Sequence, residues 1–267
     1  MAEIERELVR KSFSSHAQQY DSLALVQKRV TERFTELLQS TPISPASLLD
    51  IGSGTGRLLE TVERMLPKTD LVGIDLAFGM TINAKNRLSR AAFICGDAEN
   101  LPFRDNCFDL AVSTSTYQWI SPLETAFAEV YRVLKPKTSF CFALFGEKTL
   151  FELRESYKSA AISTARPAAD RTHQFSTAQD VILALTAAGF TECRVKDELE
   201  TEIHPDVPAL LRCLKGIGAG SAARSSGGGL SGRSTMLRMM EIYERNYGTN
   251  GGVQASYQVL YGSGVKE

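Results

Sequence analysis

Residues 48–56 read LLDIGSGTG, a short apolar run that breaks into three glycines at alternate positions, Gly52, Gly54 and Gly56. Glycine lets a chain turn sharply out of a strand and lets a ligand approach the backbone with no Cβ between them. A tight strand-to-helix turn without a ligand has the same pattern, so the flanking residues must narrow the chemistry. Arg57 stands where the dinucleotide pattern G-x-G-x-x-G would have its last glycine. Asp50 lies at the end of the apolar run, where a carboxylate repels a pyrophosphate and can help hold an ammonium group. Asp75 ends the next apolar run, DLVGID, and follows the glycines by about twenty residues. There it can accept hydrogen bonds from both hydroxyls of a ribose, although alone it could equally cap a helix. Asp97, in GDAENLPF (96–103), can accept from an adenine amino group while the Ala98 amide donates to the ring. Leu76 and Met80 can cover the adenine faces, and Ser113, near the end of a fourth apolar run, joins them as a cofactor contact. A ligand with an ammonium, a ribose and an adenine but no pyrophosphate is S-adenosylmethionine.

These residues converge only if their strands lie side by side. From residue 47 short apolar runs alternate with helical stretches: strands at 47–52, 70–75, 91–97, 108–115 and 138–146, and helices at 57–66, 80–88 and 123–134. Wholly apolar strands alternating with helices imply a parallel sheet covered on both faces. In such sheets ligands bind beyond the carboxyl ends of the strands. Before the sheet, residues 2–40 carry apolar positions three to four apart and read as helical, with Tyr20-Asp21-Ser22 as an interrupting loop. After it, 149–163, 177–189, 207–218 and 236–248 read as helices and 191–204 and 253–264 as strands. The stretch 219–232 is small and polar and reads as a loop.

The composition sets limits on partners. The 267 residues, 43% hydrophobic and 23% charged, can bury a substantial core. Thirty basic against 31 acidic residues disfavour nucleic acid as a partner. No apolar run reaches the roughly 20 residues that span a bilayer. The five cysteines are scattered with no C-x-x-C pair, so no metal site is expected and a reducing cytoplasm fits best.

LLDIGSGTGR, VGIDLAFGM, GDAENLPF and EVYRVLKP resemble the class I, Rossmann-like methyltransferases. The resemblance implies an α/β fold with a seven-stranded, mostly parallel sheet, an antiparallel last strand and a small helical lid. FSSHAQQYD (13–21), TYQWISPLETAFAEVYRVLKP (116–136), LFGEKTLFELRESY (144–157), HQFST (173–177), LLRCLKGIGA (210–219) and YQVLYGSG (257–264) are similar to the malonyl-acyl-carrier-protein O-methyltransferases of biotin synthesis, the BioC family. The similar pieces cover nearly the whole chain. The loop at 219–232 departs from that pattern, which calls for a more basic, His-containing stretch. The expected organisation is an N-terminal helical segment over the cofactor site (1–40), a methyltransferase core (41–148, 176–206 and 250–267) and an inserted substrate-binding sub-lobe (149–175 and 207–249).

The resemblance implies esterification of the free carboxylate of a malonyl thioester on acyl carrier protein. Methyl transfer from a sulfonium is an in-line displacement in which the protein supplies position. A carboxylate is ionised at neutral pH and needs no general base. It needs alignment, worth roughly 7–11 kcal/mol. Tyr20 would fold over the cofactor and orient the carboxylate, or be a surface tyrosine. Gln118 and Trp119 would line the wall beside the methyl, with core packing the alternative for Trp119. Tyr117, His173, Arg212 and Lys215 are the further substrate-binding candidates. Between residues 203 and 247 Arg212, Lys215, Arg224, Arg233, Arg238 and Arg245 outnumber Asp206, Glu241 and Glu244, a bias that would steer an acidic carrier protein. Two other readings stay open: a methyltransferase of another small acid or of a quinone precursor, and a cofactor-binding assembly factor without turnover.

Overall fold

The computed structural model describes residues 6–40, 44–164, 174–219 and 230–267. The chain begins with two helices, α1 (Arg6–Leu23) and α2 (Leu25–Gln39). The expected loop at Tyr20–Ser22 is helical instead, and only Ala24 leaves helical geometry (φ −82°, ψ 56°). The reason is tertiary. Phe13, Ala17 and Tyr20 continue the helical spacing and pack on Ala77 and Met80, while the Asp21 carboxylate accepts from the Thr55 hydroxyl at 2.8 Å and from the Arg87 guanidinium.

Strands β1 (Ser47–Ile51), β2 (Asp70–Asp75), β3 (Ala92–Cys95) and β4 (Phe108–Thr114) alternate with helices α3 (Arg57–Met65) and α4 (Phe78–Arg87). A single 3-10 turn (Tyr117–Trp119) and α5 (Leu123–Val133) lead to β5 (Leu134–Phe145). The second half contributes α6 (Phe151–Ser163), α7 (Ala178–Ala187), β6 (Thr191–His204), α8 (Val207–Gly216), α9 (Leu230–Tyr247), a two-residue β7 (Gly248–Thr249) and β8 (Gly252–Lys266). The strand order is β3-β2-β1-β4-β5-β8-β6, with β7 paired to β8 alone. β1 to β5 pair in parallel, and β8 runs antiparallel between β5 and β6. The sheet is thus the expected seven strands with an antiparallel last strand, plus the small β7.

Alternation along the strands divides the core between two faces. Leu48, Leu110, Val112, Ala143 and Phe145 join the core under α2, α3, α6, α8 and α9. Leu49, Ile51, Ala111, Phe140, Phe142 and Leu144 join the core under α5 and α7. Order reverses at β1, which has β2 on one side and β4 on the other, so a crevice opens at the carboxyl ends of these strands. Local signals fix two helices of the second half. Thr177 and Asp180 form a reciprocal capping box on α7, and the Asp206 carboxylate caps α8 through the Ala209 amide at 2.6 Å, with Pro208 in the first turn.

Candidate active site

The glycine turn leaves β1 and leans over β2, with the Gly52 and Ser53 amides donating to the Ile74 carbonyl at 2.7 and 2.9 Å. Gly52 has φ +72°, and a Cβ there would come within 2.0 Å of the Thr116 hydroxyl oxygen. That close approach seats the loop after β4 against the turn. At Gly54 (φ +54°) a Cβ would meet nothing within 4 Å, because the residue faces an open cleft. Gly56 (φ +80°) is the residue before α3 and packs on Ala84.

The cleft has an open volume of about 850 Å3. Asp75 stands on its wall, with Oδ2 accepting from the Gly54 amide at 2.8 Å and Oδ1 from the Ala77 amide at 2.7 Å. A carboxylate offers about four acceptor sites, so two remain for a diol. Burial raises the Asp75 pKa to about 6, offset in part by those two amides. Leu76, Met80, Asp97 and Ala98 line the same cleft. Asp97 accepts from its neighbour's amide at Glu99 (2.9 Å) and from Arg6 (3.2 Å), and Arg6 also pairs with Glu99. Helix α1 therefore lies along the cleft, lending it Arg6, Val9, Arg10, Phe13 and Tyr20.

Two smaller cavities adjoin it. A polar one of about 450 Å3 is bordered by Asp21, Gln27, Lys28, Thr55 and Arg57 beside the first turn of α3. An apolar one of about 470 Å3 lies under α8, among Phe145, Leu150, Phe175, Leu214, Ile217 and Tyr257, with Gln118 on its wall. Phe13, Tyr20, Ser115 and Trp119 line both the large cleft and the apolar cavity. Phe13 meets Trp119 edge-on at 5.6 Å and Tyr20 at 6.2 Å, so an aromatic row divides the two spaces. Burial, and then the nearby Asp75 and Asp21, raise the Tyr20 phenol well above its usual value, so its proton stays in place as a donor.

A sequence profile described as a methyltransferase domain matches residues 49–142. A malonyl-acyl-carrier-protein O-methyltransferase of Geobacter sulfurreducens is 47% identical over 266 residues, covering 98% of this chain and 100% of the relative. The chain belongs to the malonyl-acyl-carrier-protein O-methyltransferase family. A second relative of the same description, from Gallionella capsiferriformans, is 33% identical over 98% of this chain and 91% of its own. The solved structure of an S-adenosylmethionine-dependent methyltransferase of Thermotoga maritima shares the fold, with a TM-score of 0.56 at 18% identity over 97% of this chain and all of the other. The chain is thus an S-adenosylmethionine-dependent methyltransferase, and the donor set fits that group: an open glycine cradle at Gly54, the Asp75 acceptor, and Leu76 and Met80 as apolar cover.

Several expected contacts of this methyltransferase lie elsewhere. Asp50 sits beneath the turn and off the cleft wall. It is fully buried with no partner for either oxygen among the described residues, and burial followed by the nearby Asp75 pushes its pKa up to about 8. Ser113 is buried inside the sheet and donates to the Ile51 carbonyl at 2.6 Å, so it spends its hydroxyl on β1 rather than on a ligand. Tyr117 is core, packed among Phe127, Phe140 and Phe142 with ring centroids 5.0–6.3 Å away. Arg212 and Lys215 are exposed on the outer side of α8, whose inner side is Leu210, Leu214 and Ile217. Neither basic residue reaches the apolar cavity, because long cations favour water over that wall. His173 lies outside the described residues, as does most of the loop at 219–232.

Sequence reasoning missed Arg6, Phe13, Asp21, Gln27, Thr55 and Ser115. Phe13 carried a usable signal, since it is seven residues, two helical turns, from Tyr20 on α1. Ser115 had none, because its place depends on a left-handed backbone (φ +57°) after β4.

Proposed function

We propose that the chain transfers a methyl group from S-adenosylmethionine to the free carboxylate of a malonyl thioester on acyl carrier protein, in biotin synthesis. The observation that supports this best is the aromatic row of Phe13, Tyr20 and Trp119, where the large cleft and the apolar cavity meet. Asp75 would hold the ribose, Asp97 and Ala98 the adenine edge, and Leu76 and Met80 its faces. Asp50, ionised by a cation above it, would add attraction through the turn. Thr55, Arg57 and the first amides of α3 border the space for the amino-acid end, where a helix N-terminus favours a carboxylate.

When bound, the cofactor supplies an electrophilic methyl on a sulfonium. The chain's own residues then have three tasks. The aromatic row excludes water and offers ring faces to positive charge. The apolar cavity takes the acyl thioester and strips water from the acceptor. Tyr20, with its proton retained, orients the carboxylate. No proton need move, because the attacking oxygen is already ionised. On the outer side of α8, Arg212 and Lys215 would meet an acidic carrier rather than the malonyl group. The test is incubation of the purified chain with methyl-labelled cofactor and malonyl-carrier protein. The expected result is a methyl ester on the carrier, with much less on free malonate.

A further inference from the structure

Three residues are common to the polar and the apolar cavities: Tyr20, Gln27 and Ser115. They come from α1, α2 and the loop after β4, so only the fold brings them together. Ser115 is clamped through its backbone. Its amide donates to the Ala143 carbonyl at 2.8 Å, and its carbonyl accepts from the Gln118 side-chain amide at 2.6 Å. Its hydroxyl is buried and has no hydrogen-bond partner among the described residues. Gln27 is half-buried, and its backbone carbonyl accepts from the Thr31 hydroxyl at 2.9 Å. No described residue bonds its side-chain amide.

Two free donors at the rim of an otherwise apolar cavity define a ligand chemistry. A carboxylate entering that cavity loses water and needs charge-assisted hydrogen bonds in return. Gln118 gives one N–H to the Ser115 carbonyl and its buried oxygen is an acceptor, so it could add only its second N–H. Asp21, the acid on the polar cavity, is engaged by Thr55, Arg57 and Arg87. Lys28 and Arg57, which border the polar cavity, suit the cofactor's own carboxylate. We infer that Gln27 and Ser115 hold the acceptor carboxylate, and so select an acyl group that ends in one. With Tyr20 they supply three donors, from three elements, at the place where the acceptor meets the methyl. This assignment rests on the proposed reaction.

The test uses Gln27→Leu, which keeps the side-chain bulk, and Ser115→Gly, which suits the left-handed backbone. Wild-type turnover on malonyl-carrier protein is read first, and its absence would remove the reaction itself. Given turnover, each variant should raise KM for malonyl-carrier protein by about ten-fold, the scale of one lost bond to a charged group. Affinity for S-adenosylhomocysteine by calorimetry should be unchanged. Inhibition by acetyl-carrier protein, which keeps the thioester and lacks the carboxylate, should also be unchanged. Weakened acetyl inhibition in parallel with KM would mean lost packing and would overturn the assignment. Weakened S-adenosylhomocysteine binding with an unchanged malonyl KM would give these donors to the cofactor, and unchanged variants would give them no role; either result overturns it.

Discussion

Replacing Asp75 by Asn separates charge from shape at the ribose site. The wild-type carboxylate faces two backbone donors, Gly54 at 2.8 Å and Ala77 at 2.7 Å, and keeps one acceptor site on each oxygen for a hydroxyl. Asn can present oxygen to only one of those amides. Its NH2 confronts the other, and a buried donor left unpaired costs about 1–3 kcal/mol. The diol also loses bonds to a charged acceptor, each worth about 1.5–3 kcal/mol, with a neutral bond remaining. A net loss of about 2–4 kcal/mol in binding is about 30- to 1,000-fold in Kd. The pH dependence gives a second, independent reading. Asp75 has its pKa raised to about 6 by burial. Hydroxyl donors favour the ionised form, so the bound-state value is lower and binding releases a proton below pH 6. Wild-type affinity should therefore fall as pH drops through 6, and the Asp75→Asn variant should lack that component. Asp50, raised to about 8 by burial and then by Asp75, titrates in a separate, higher window in the wild type. Calorimetry with S-adenosylhomocysteine from pH 5 to 8 measures both effects. Equal Kd values, or the same slope below pH 6 in both proteins, would rule out Asp75 as the charged acceptor for the ribose.

Asp50→Asn should stabilise the cofactor-free fold increasingly with pH. A carboxylate whose folded pKa is raised contributes stability below its unfolded value that is lost as pH rises to about 8, on the order of 4 kcal/mol by pH 7. Urea unfolding of both proteins at pH 4 to 8 checks it, and a pH-independent difference would count against it. Gly54→Ala should cost the fold only about 1–2 kcal/mol for its left-handed backbone, yet weaken the cofactor strongly, because the new Cβ enters the cleft. Gly52→Ala should instead lower the melting temperature markedly, since its Cβ meets Thr116 at 2.0 Å; thermal melts with and without S-adenosylhomocysteine distinguish the two glycines. Tyr20→Phe keeps the aromatic row and removes one donor, so turnover on malonyl-carrier protein should fall about 10- to 100-fold with S-adenosylhomocysteine affinity nearly unchanged, as steady-state kinetics and calorimetry would show.

The cofactor side was legible in the sequence because its residues sit at strand ends, where local pattern fixes direction. Asp75, Asp97 and Gly54 each end a run of apolar residues and face the cleft. Asp50 and Ser113 lie inside their strands, one residue short of the last, where the neighbouring strands and the turn bury them. Tyr117 lies in a one-turn helix, whose inward side no periodicity announces. For α8 the signal was present: Leu210, Leu214 and Ile217 mark its buried stripe, and Arg212 and Lys215 fall off it. The acceptor side was hidden because α1, α2 and the loop after β4 meet there only through tertiary packing. The helical course of Tyr20 likewise depends on Asp21 being held by Thr55 and Arg87, residues far along the chain.

The proposed reaction joins a methyl donor to a malonyl carboxylate across these cavities. Intact-mass analysis of malonyl-carrier protein after incubation with the enzyme and S-adenosylmethionine tests it most directly. The expected result is a gain of one methylene unit on the malonyl carrier, reversed by ester hydrolysis and absent from acetyl-carrier protein. An enzyme that binds S-adenosylhomocysteine yet leaves malonyl-carrier protein at its starting mass would contradict it.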